Sequence, residues 1–172
     1  SCCFIADFKS SFYNSLVMGL LPLSNIDSYA CNNLVTNNEF NSGSSPWNYY
    51  NNSGASGFFT LDNSSQLSGV NSGRINITNS TGNIWHLGMY QSNLSIQTGK
   101  LYEVSFMAKA SYNKTIGVTF QDINNGWSSF QYSEFGLTTS TQTITYYFTS
   151  NVTTTNSTIN FLLGLNNATT WI

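Results

Sequence analysis

The chain has 172 residues, enough for one domain with a substantial core and short for two domains and a linker. Charged residues make up only 7% of it while aromatics reach 15%, and five Lys and Arg stand against seven Asp and Glu, so the surface is polar but nearly uncharged. That balance supplies no basic patch to neutralise a phosphate backbone, which excludes nucleic acid as the expected partner and leaves other polyanions unsupported.

Residues 1–32 read as an N-terminal extension with two apolar runs, Cys2 to Phe8 and Phe12 to Leu23, separated by Lys9-Ser10-Ser11. The longer run contains Asn14, Ser15 and Gly19 and falls short of the roughly 20 apolar residues of a membrane span, so no span is expected. It reads as a short helix or as a strand. No basic segment followed by an apolar core and a cleavage site opens the chain, so the numbering is expected to begin in mature sequence.

Residues 33–172 read as one all-β domain. Short apolar strands alternate with Asn, Ser and Gly turns at Trp47 to Tyr50, Gly57 to Leu61 and Gly73 to Thr78. Gly82 to Trp127 then reads as three consecutive strands. In its middle segment Tyr102, Val104, Phe106, Ala108 and Ala110 are apolar while Glu103, Ser105 and Lys109 lie between them, the period-2 pattern of a half-buried strand. Ile116, Val118 and Phe120 resume the alternation after the Ser111-Tyr112-Asn113-Lys114 turn, and the segment is expected to form an antiparallel meander. Trp85, Leu87 and Met89 share one face whereas Tyr90, Leu94 and Ile96 take the other, so a bulge is expected between them, one that re-aims Trp85. Phe130 to Phe135, Gln142 to Thr149 and Thr158 to Leu165 complete about ten strands, which favours a β-sandwich over any α/β arrangement.

Asn51, Asn63, Asn76, Asn79, Asn93, Asn113, Asn151, Asn156 and Asn167 each open an Asn-x-Ser/Thr triplet without an intervening proline. Such triplets also arise by composition in a chain this rich in Asn, Ser and Thr, but their placement in turns points to a secreted or cell-surface glycoprotein. Cys2, Cys3 and Cys31 precede the β domain; a bridge from Cys31 to Cys2 or Cys3 would close the extension into a loop and leave one thiol either buried or free to bridge subunits. Adjacent Cys2-Cys3 lacks metal-ligand spacing, and no metal is expected.

The titratable residues do not read as catalytic. Asp7, Asp27, Glu39, Asp62, Glu103, Asp122 and Glu134 are scattered without a close pair, His86 is a lone imidazole within a strand, and neither a nucleophile elbow nor a phosphate loop is present. The chain reads as a non-enzyme without a cofactor.

Three segments carry a family resemblance: Asn33-Leu34-Val35-Thr36-Asn37-Asn38-Glu39-Phe40-Asn41-Ser42-Gly43 followed by Trp47; Gly99-Lys100-Leu101-Tyr102-Glu103-Val104-Ser105-Phe106-Met107-Ala108-Lys109-Ala110 leading on to Trp127; and Phe161-Leu162-Leu163-Gly164-Leu165 running to Trp171. In order and spacing they resemble the carbohydrate-binding modules of families 4, 9 and 22, over roughly residues 33–172. The resemblance implies a jelly-roll β-sandwich of two antiparallel sheets and a polysaccharide or glycan as partner. The positions that match the family's binding aromatics are Tyr50, Trp85 and Trp127, with Gln121, Asn124, Asn125 and Ser92 nearby as amide and hydroxyl donors. Aromatic faces beside such groups suit a sugar, which presents C–H on its faces and hydroxyls at its edge. The position where the family places an arginine is Gly117. Trp47 reads as a core residue. The family's structural calcium would fall to Glu39, Asn41 and backbone carbonyls, but the chain stops at Trp171-Ile172 before the matching Asp, so the ion is not favoured.

Two functions follow. The first is a non-catalytic extracellular glycan-binding module. The second is a structural subunit of a glycosylated fibre or coat, a homo-polymer built by strand complementation: residues 169–172 are too few to cover the edge of the preceding strand, and the apolar runs of the extension are available to complete it from the same chain or from a neighbour.

Overall fold

The computed structural model describes residues 2–7 and 32–172. The run from Phe12 to Leu23 and Cys31, and with Cys31 the expected disulfide, lie outside the described residues. Eleven strands, numbered along the chain, form two sheets among the described residues. One sheet has the order β2 (Asn48–Asn51), β5 (Leu87–Ile96), β10 (Thr154–Leu162), β7 (Lys114–Asp122) and β8 (Ser128–Leu137), antiparallel throughout. The other runs β3 (Ser56–Asp62), β4 (Ser72–Asn79), β11 (Thr170–Trp171), β6 (Leu101–Ala110) and β9 (Gln142–Thr149), also antiparallel, with β1 (Cys2–Asp7) added parallel to β6. This is the jelly-roll sandwich, and two arrangements within it differ from the sequence reading.

The expected meander is not one. β5 and β7 lie in the first sheet and β6 in the second, so the chain crosses the sandwich at residues 97–100 and again at 111–113 instead of turning back on its neighbour. Period-2 alternation reports which face of a strand is buried and carries no information about which strand lies beside it. The edge that the short last strand leaves open is also a different one. β10 is paired on both sides, by β5 and β7, whereas β11 crosses to the other sheet and covers only Lys109 and Ala110 of β6. Residues Leu101 to Ser105 of the same strand pair with β1.

The inward residues of the two sheets make the core. Val104, Phe106 and Ala108 from β6 meet Ile116, Val118 and Phe120 from β7 and Ile159 and Phe161 from β10, all essentially without exposure. Phe106 packs edge-on against Phe161 at 5.1 Å, Trp47 lies 6.1 Å from Phe161, and Phe120 lies 4.9 Å from Phe148. Each such ring removed from water contributes about 1.5–3 kcal/mol. Trp47 is thus a core residue. The bulge expected before Leu94 is present: Leu94 pairs with Ser157 but Gln91 with Ile159, so three steps of β5 face two of β10, and Asn93 takes φ 65° to absorb the extra residue. It lies at residues 92–93 and leaves Trp85 outside the strand.

At the start of β7 the Lys114 ammonium is buried, 5% exposed, and donates to Leu163 O at 2.8 Å, Ala168 O at 3.2 Å and Thr170 Oγ1 at 3.2 Å. Leu163 and Ala168 lie on the loop that carries the chain from β10 to β11 and Thr170 opens β11, so one side chain pins the final crossover. Burial pushes its pKa down to about 7.

Candidate functional site

Both faces of β7 and β10 are covered, though only one face meets the core. The outward residues Gly117 and Thr119 of β7 and Thr158, Asn160 and Leu162 of β10 are buried because side chains from the flanking strands rise around them and form a cleft of about 650 Å³. Its floor follows the ladder. Tyr90, Asn160, Thr119 and Tyr132 are cross-strand partners in one row, and Tyr50, Gly88, Leu162, Gly117 and Glu134 are partners in the next.

Two glycines shape that second row. A Cβ on Gly88 would lie 2.8 Å from the Tyr50 hydroxyl, and one on Gly117 would lie 2.9 Å from the Tyr132 ring. The tyrosines therefore lie down over bare backbone, on either side of Leu162, where any larger residue would push them up. At Gly117, Tyr132 occupies the space that an arginine side chain would need. Burial, opposed by the Asn160 amide, pushes the Tyr50 pKa up to about 12; burial and then the Glu134 carboxylate, which accepts from the Tyr132 hydroxyl, raise Tyr132 to about 12 as well. Both stay neutral phenols at any ordinary pH.

The two tryptophans stand above this floor. Trp85 is 58% exposed and belongs to a 3-10 turn, Ile84–His86, not to a strand. The turn is capped by Asn83, whose Oδ1 accepts from Trp85 N at 3.4 Å, and is anchored by Gly164 N donating to Ile84 O at 2.9 Å. His86 is in the same turn, corrected from its expected strand, and its Nδ1 shares a 2.7 Å hydrogen bond with the Thr81 hydroxyl. Trp127 is 46% exposed and sits at φ 63° directly after Gly126, also at φ 63°. Glycine adopts that conformation freely; a bulky L-residue there is strained, and such strain concentrates at functional positions. The consequence is that the indole is thrown up at the cleft edge, where it meets Tyr90 edge-on at 6.0 Å, and Tyr90 in turn meets Tyr50 at 6.1 Å.

Polar groups on the floor are incompletely used. Asn160, 5% exposed, donates from Nδ2 to Tyr50 Oη at 3.5 Å and Gln121 Oε1 at 3.4 Å, while its Oδ1 is buried without a hydrogen-bond partner. Gln121 Nε2 donates to Trp127 O at 3.1 Å. Among the described residues no charged side chain lines the cleft, which therefore combines five aromatic rings with hydroxyls and amides.

Of the sequence candidates, Tyr50, Trp85, Trp127 and Gln121 come together around this cleft. Asn124 does not: it lies in the 3-10 turn Ile123–Asn125 outside the lining, and its Oδ1 accepts from Asn156 Nδ2 at 3.4 Å. Asn125 and Ser92 are outside it as well. Tyr90, Tyr132 and Asn160 were missed. The signal for Asn160 was available, since it interrupts Ile159, Phe161 and Leu163 with period 2 and so marks the opposite face. Nothing local marks Tyr90 or Tyr132, which join the site only through the strand order.

Glu39 and Asn41 touch, with Asn41 Nδ2 donating to Glu39 Oε2 at 3.0 Å, and Glu39 Oε1 is buried without a hydrogen-bond partner. One orphan oxygen is a single ligand where calcium takes about six to eight. No group of three His, Cys, Asp or Glu lies together among the described residues. Of the glycosylation candidates, Asn51, Asn63, Asn79, Asn93, Asn113, Asn151 and Asn167 are exposed; Asn76 and Asn156 are half-buried.

A family model for a carbohydrate binding domain matches residues 32–169. No curated protein sequence matches the chain. Among solved structures, the chain superposes on a CBM4 structure with TM-score 0.64 and 20% identity, covering 78% of this chain and 92% of that one. It is similar also to the N-terminal cellulose-binding domain of Cellulomonas fimi β-1,4-glucanase C, with TM-score 0.55, 18% identity and coverage of 73% and 82%. A third likeness is to TmCBM61 in complex with β-1,4-galactotriose, with TM-score 0.55, 16% identity and coverage of 81% and 93%. At these identities the structures show a shared fold.

Proposed function

Because the chain belongs to the carbohydrate binding domain family across residues 32–169, we propose that it is a non-catalytic module that holds a neutral polysaccharide in the cleft between Trp85 and Trp127. The observation that carries this reading is the pairing of exposed indoles with a floor of flat-lying tyrosines and an unused amide oxygen, all without charge. The rings cover the C–H faces of a sugar, and Gln121 and Asn160 meet its hydroxyls. Among the described residues neither a carboxylate nor an imidazole lines this cleft, which supports reading it as a site that binds without cleaving.

We propose further that the protein works outside the cell as a glycoprotein. The exposed turn positions Asn63, Asn113 and Asn151 support this, since glycans there project into water. Isothermal titration against soluble β-glucan, xylan and mannan tests the main reading. Binding to at least one of them, lost in Trp85→Ala and Trp127→Ala, is the expected result; failure to bind any of them, or undiminished binding by both variants, would overturn it.

A further inference from the structure

The edge of a sheet presents backbone N–H and C=O groups that invite another strand, and natural edges are blunted by charge, proline, bulges or shortness. Most edges of this sandwich are blunted in one of these ways. β1 ends on Asp7 and shifts register between Phe4 and Ala6, and β2 has only four residues. β3 ends on Asp62 and shifts register at Ser56/Gly57, while β8 carries Glu134 and lies opposite a shift at Phe120/Gln121. β9 has none of these devices. Its eight residues, Gln142 to Thr149, hold no charge and no proline, and its register with β6 runs unbroken from Thr149 opposite Leu101 to Gln142 opposite Ala108. Among the described residues it pairs with β6 alone. Ser150 N donates to Lys100 O at 3.0 Å, one step beyond the pair Leu101 and Thr149. By the alternation of an antiparallel ladder, Phe148, Tyr146 and Ile144 then turn their backbone groups to β6, and Tyr147, Thr145 and Thr143 turn theirs to the other side.

We propose that β9 is a dimerisation edge, which pairs antiparallel with β9 of a second copy of this chain so that Thr145 lies opposite its own counterpart. The sequence of the edge names the occupant, because it is complementary to itself. Reversed about Thr145, the strand sets Ile144 against Tyr146, Thr143 against Tyr147 and Thr145 against Thr145. These are β-branched with aromatic pairs and a Thr with Thr pair, which stabilise antiparallel strands, and no like charges are opposed. In this register the residues whose backbone groups turn away from β6 meet one another, as hydrogen bonding across the new seam requires. Ile144 and Tyr146 are half-buried on the core side of the strand, and the Tyr146 ring lies 5.1 Å from that of Phe135 on β8, also half-buried, so a second copy would take the remaining apolar surface of this rim out of water. None of the Asn-x-Ser/Thr triplets falls in β8 or β9, so neither strand would carry a glycan. The two-fold axis of such a pair stands perpendicular to the sheet, which places both clefts on the same side of the dimer. One strand pairing covers less than the roughly 1,200 Å² of a stable complex, so the dimer is weak, with Kd of about micromolar order. On a polymer the two clefts would act together, the one consequence that rests on the glycan reading.

The test is sedimentation velocity on the full chain from about 1 to 300 µM, which should show a reversible equilibrium of monomer and dimer. Thr145→Lys sets like charges opposite each other only in the register given, and should weaken dimerisation at least about fivefold; Thr145→Glu should do the same. An equimolar mixture of the two variants should dimerise at least as well as wild type, since the mixed pair carries opposite charges. Val70→Lys, at an exposed loop residue, adds the same charge elsewhere and should leave the equilibrium unchanged. Thr145 is exposed, so its variants should fold, which thermal melting checks. Monomers throughout the range would overturn the proposal and give the edge to another part of the chain or to a different protein. A dimer that Thr145→Lys leaves intact would also overturn it, by placing the contact on another surface. So would a mixture of Thr145→Lys and Thr145→Glu that stays monomeric, since the register would then be wrong. None of these readouts involves a sugar, so failure of the glycan reading would leave the dimer standing, and failure of the dimer would leave the cleft.

Discussion

Replacing Trp127 with glycine separates what this residue does for binding from what it does for folding. At φ 63° the backbone of Trp127 is in the left-handed region, which costs an L-residue about 1–2 kcal/mol and costs glycine nothing. Against that relief stand the extra freedom that glycine gives the unfolded chain, about 0.5–1 kcal/mol, and the lost edge-on contact with Tyr90, about 0.5–1.5 kcal/mol. With the roughly 135 Å² of indole already buried in the folded protein, worth about 3 kcal/mol, the sum is a loss, so Trp127→Gly should be less stable than wild type by about 2–4 kcal/mol. Binding should weaken too. With 46% of the indole exposed and a side chain of about 250 Å², roughly 115 Å² is available to a ligand, worth up to about 3 kcal/mol and not less than about 1.5 if only half is covered. Affinity should therefore fall about 10- to 150-fold. Trp127→Ala is the control: alanine keeps the strained φ and loses the same ring, so it should bind as weakly as glycine and be less stable than it by the strain term less glycine's extra unfolded-state freedom, about 1 kcal/mol. Chemical denaturation and titration calorimetry on the three proteins read both quantities. If Trp127→Gly is less stable than Trp127→Ala, the strain argument is wrong; if it binds as wild type does, Trp127 is not in the site.

Gly117→Ala places a methyl against the Tyr132 ring at 2.9 Å and Leu162 Cδ1 at 3.2 Å; it should cost about 1–3 kcal/mol and, by lifting Tyr132, weaken binding, whereas wild-type affinity would show that the floor is not contacted. Lys114 sets a pH dependence. Its folded pKa near 7 lies below the unfolded value of 10.5, so the unfolded chain holds more protons between these values, and stability should rise with pH across that window by at most about 1.4 kcal/mol per unit. Above pH 10 the trend should reverse, because Tyr50 and Tyr132 keep their protons in the folded state after the unfolded chain has lost them. Melting temperatures from pH 6 to 10 should climb in wild type and stay flat in Lys114→Met; parallel curves would remove Lys114 as the cause. In protein secreted from a eukaryotic host, glycopeptide mass spectrometry should find Asn63, Asn113 and Asn151 occupied more fully than Asn76, whose Oδ1 accepts from the Thr169 hydroxyl, or Asn156, which donates to Asn124; even occupancy at all five would show that folding comes too late to decide it.

The sequence by itself determined the elements and their buried faces. Tyr102, Val104 and Phe106 had to point inward because the polar residues between them could not, and the bulge before Leu94 was forced by apolar positions that change parity within one strand. Tyr50, Trp85 and Trp127 were legible as aromatics beside polar turns. What the sequence could not carry was adjacency. Alternation along β5, β6 and β7 is the same whether these strands pair with one another or with partners 30 to 70 residues away, so the meander was a fair reading of local signals and wrong in space. The same limit governs the site. Tyr90, Asn160, Thr119 and Tyr132 form one row only because β5, β10 and the β7–β8 hairpin, distant from one another in the chain, take one register. Gly117 looked like the loss of a binding arginine until Tyr132 was seen to lie where that side chain would have been. A glycine's meaning depends on what approaches it, and only the tertiary structure brings that neighbour in.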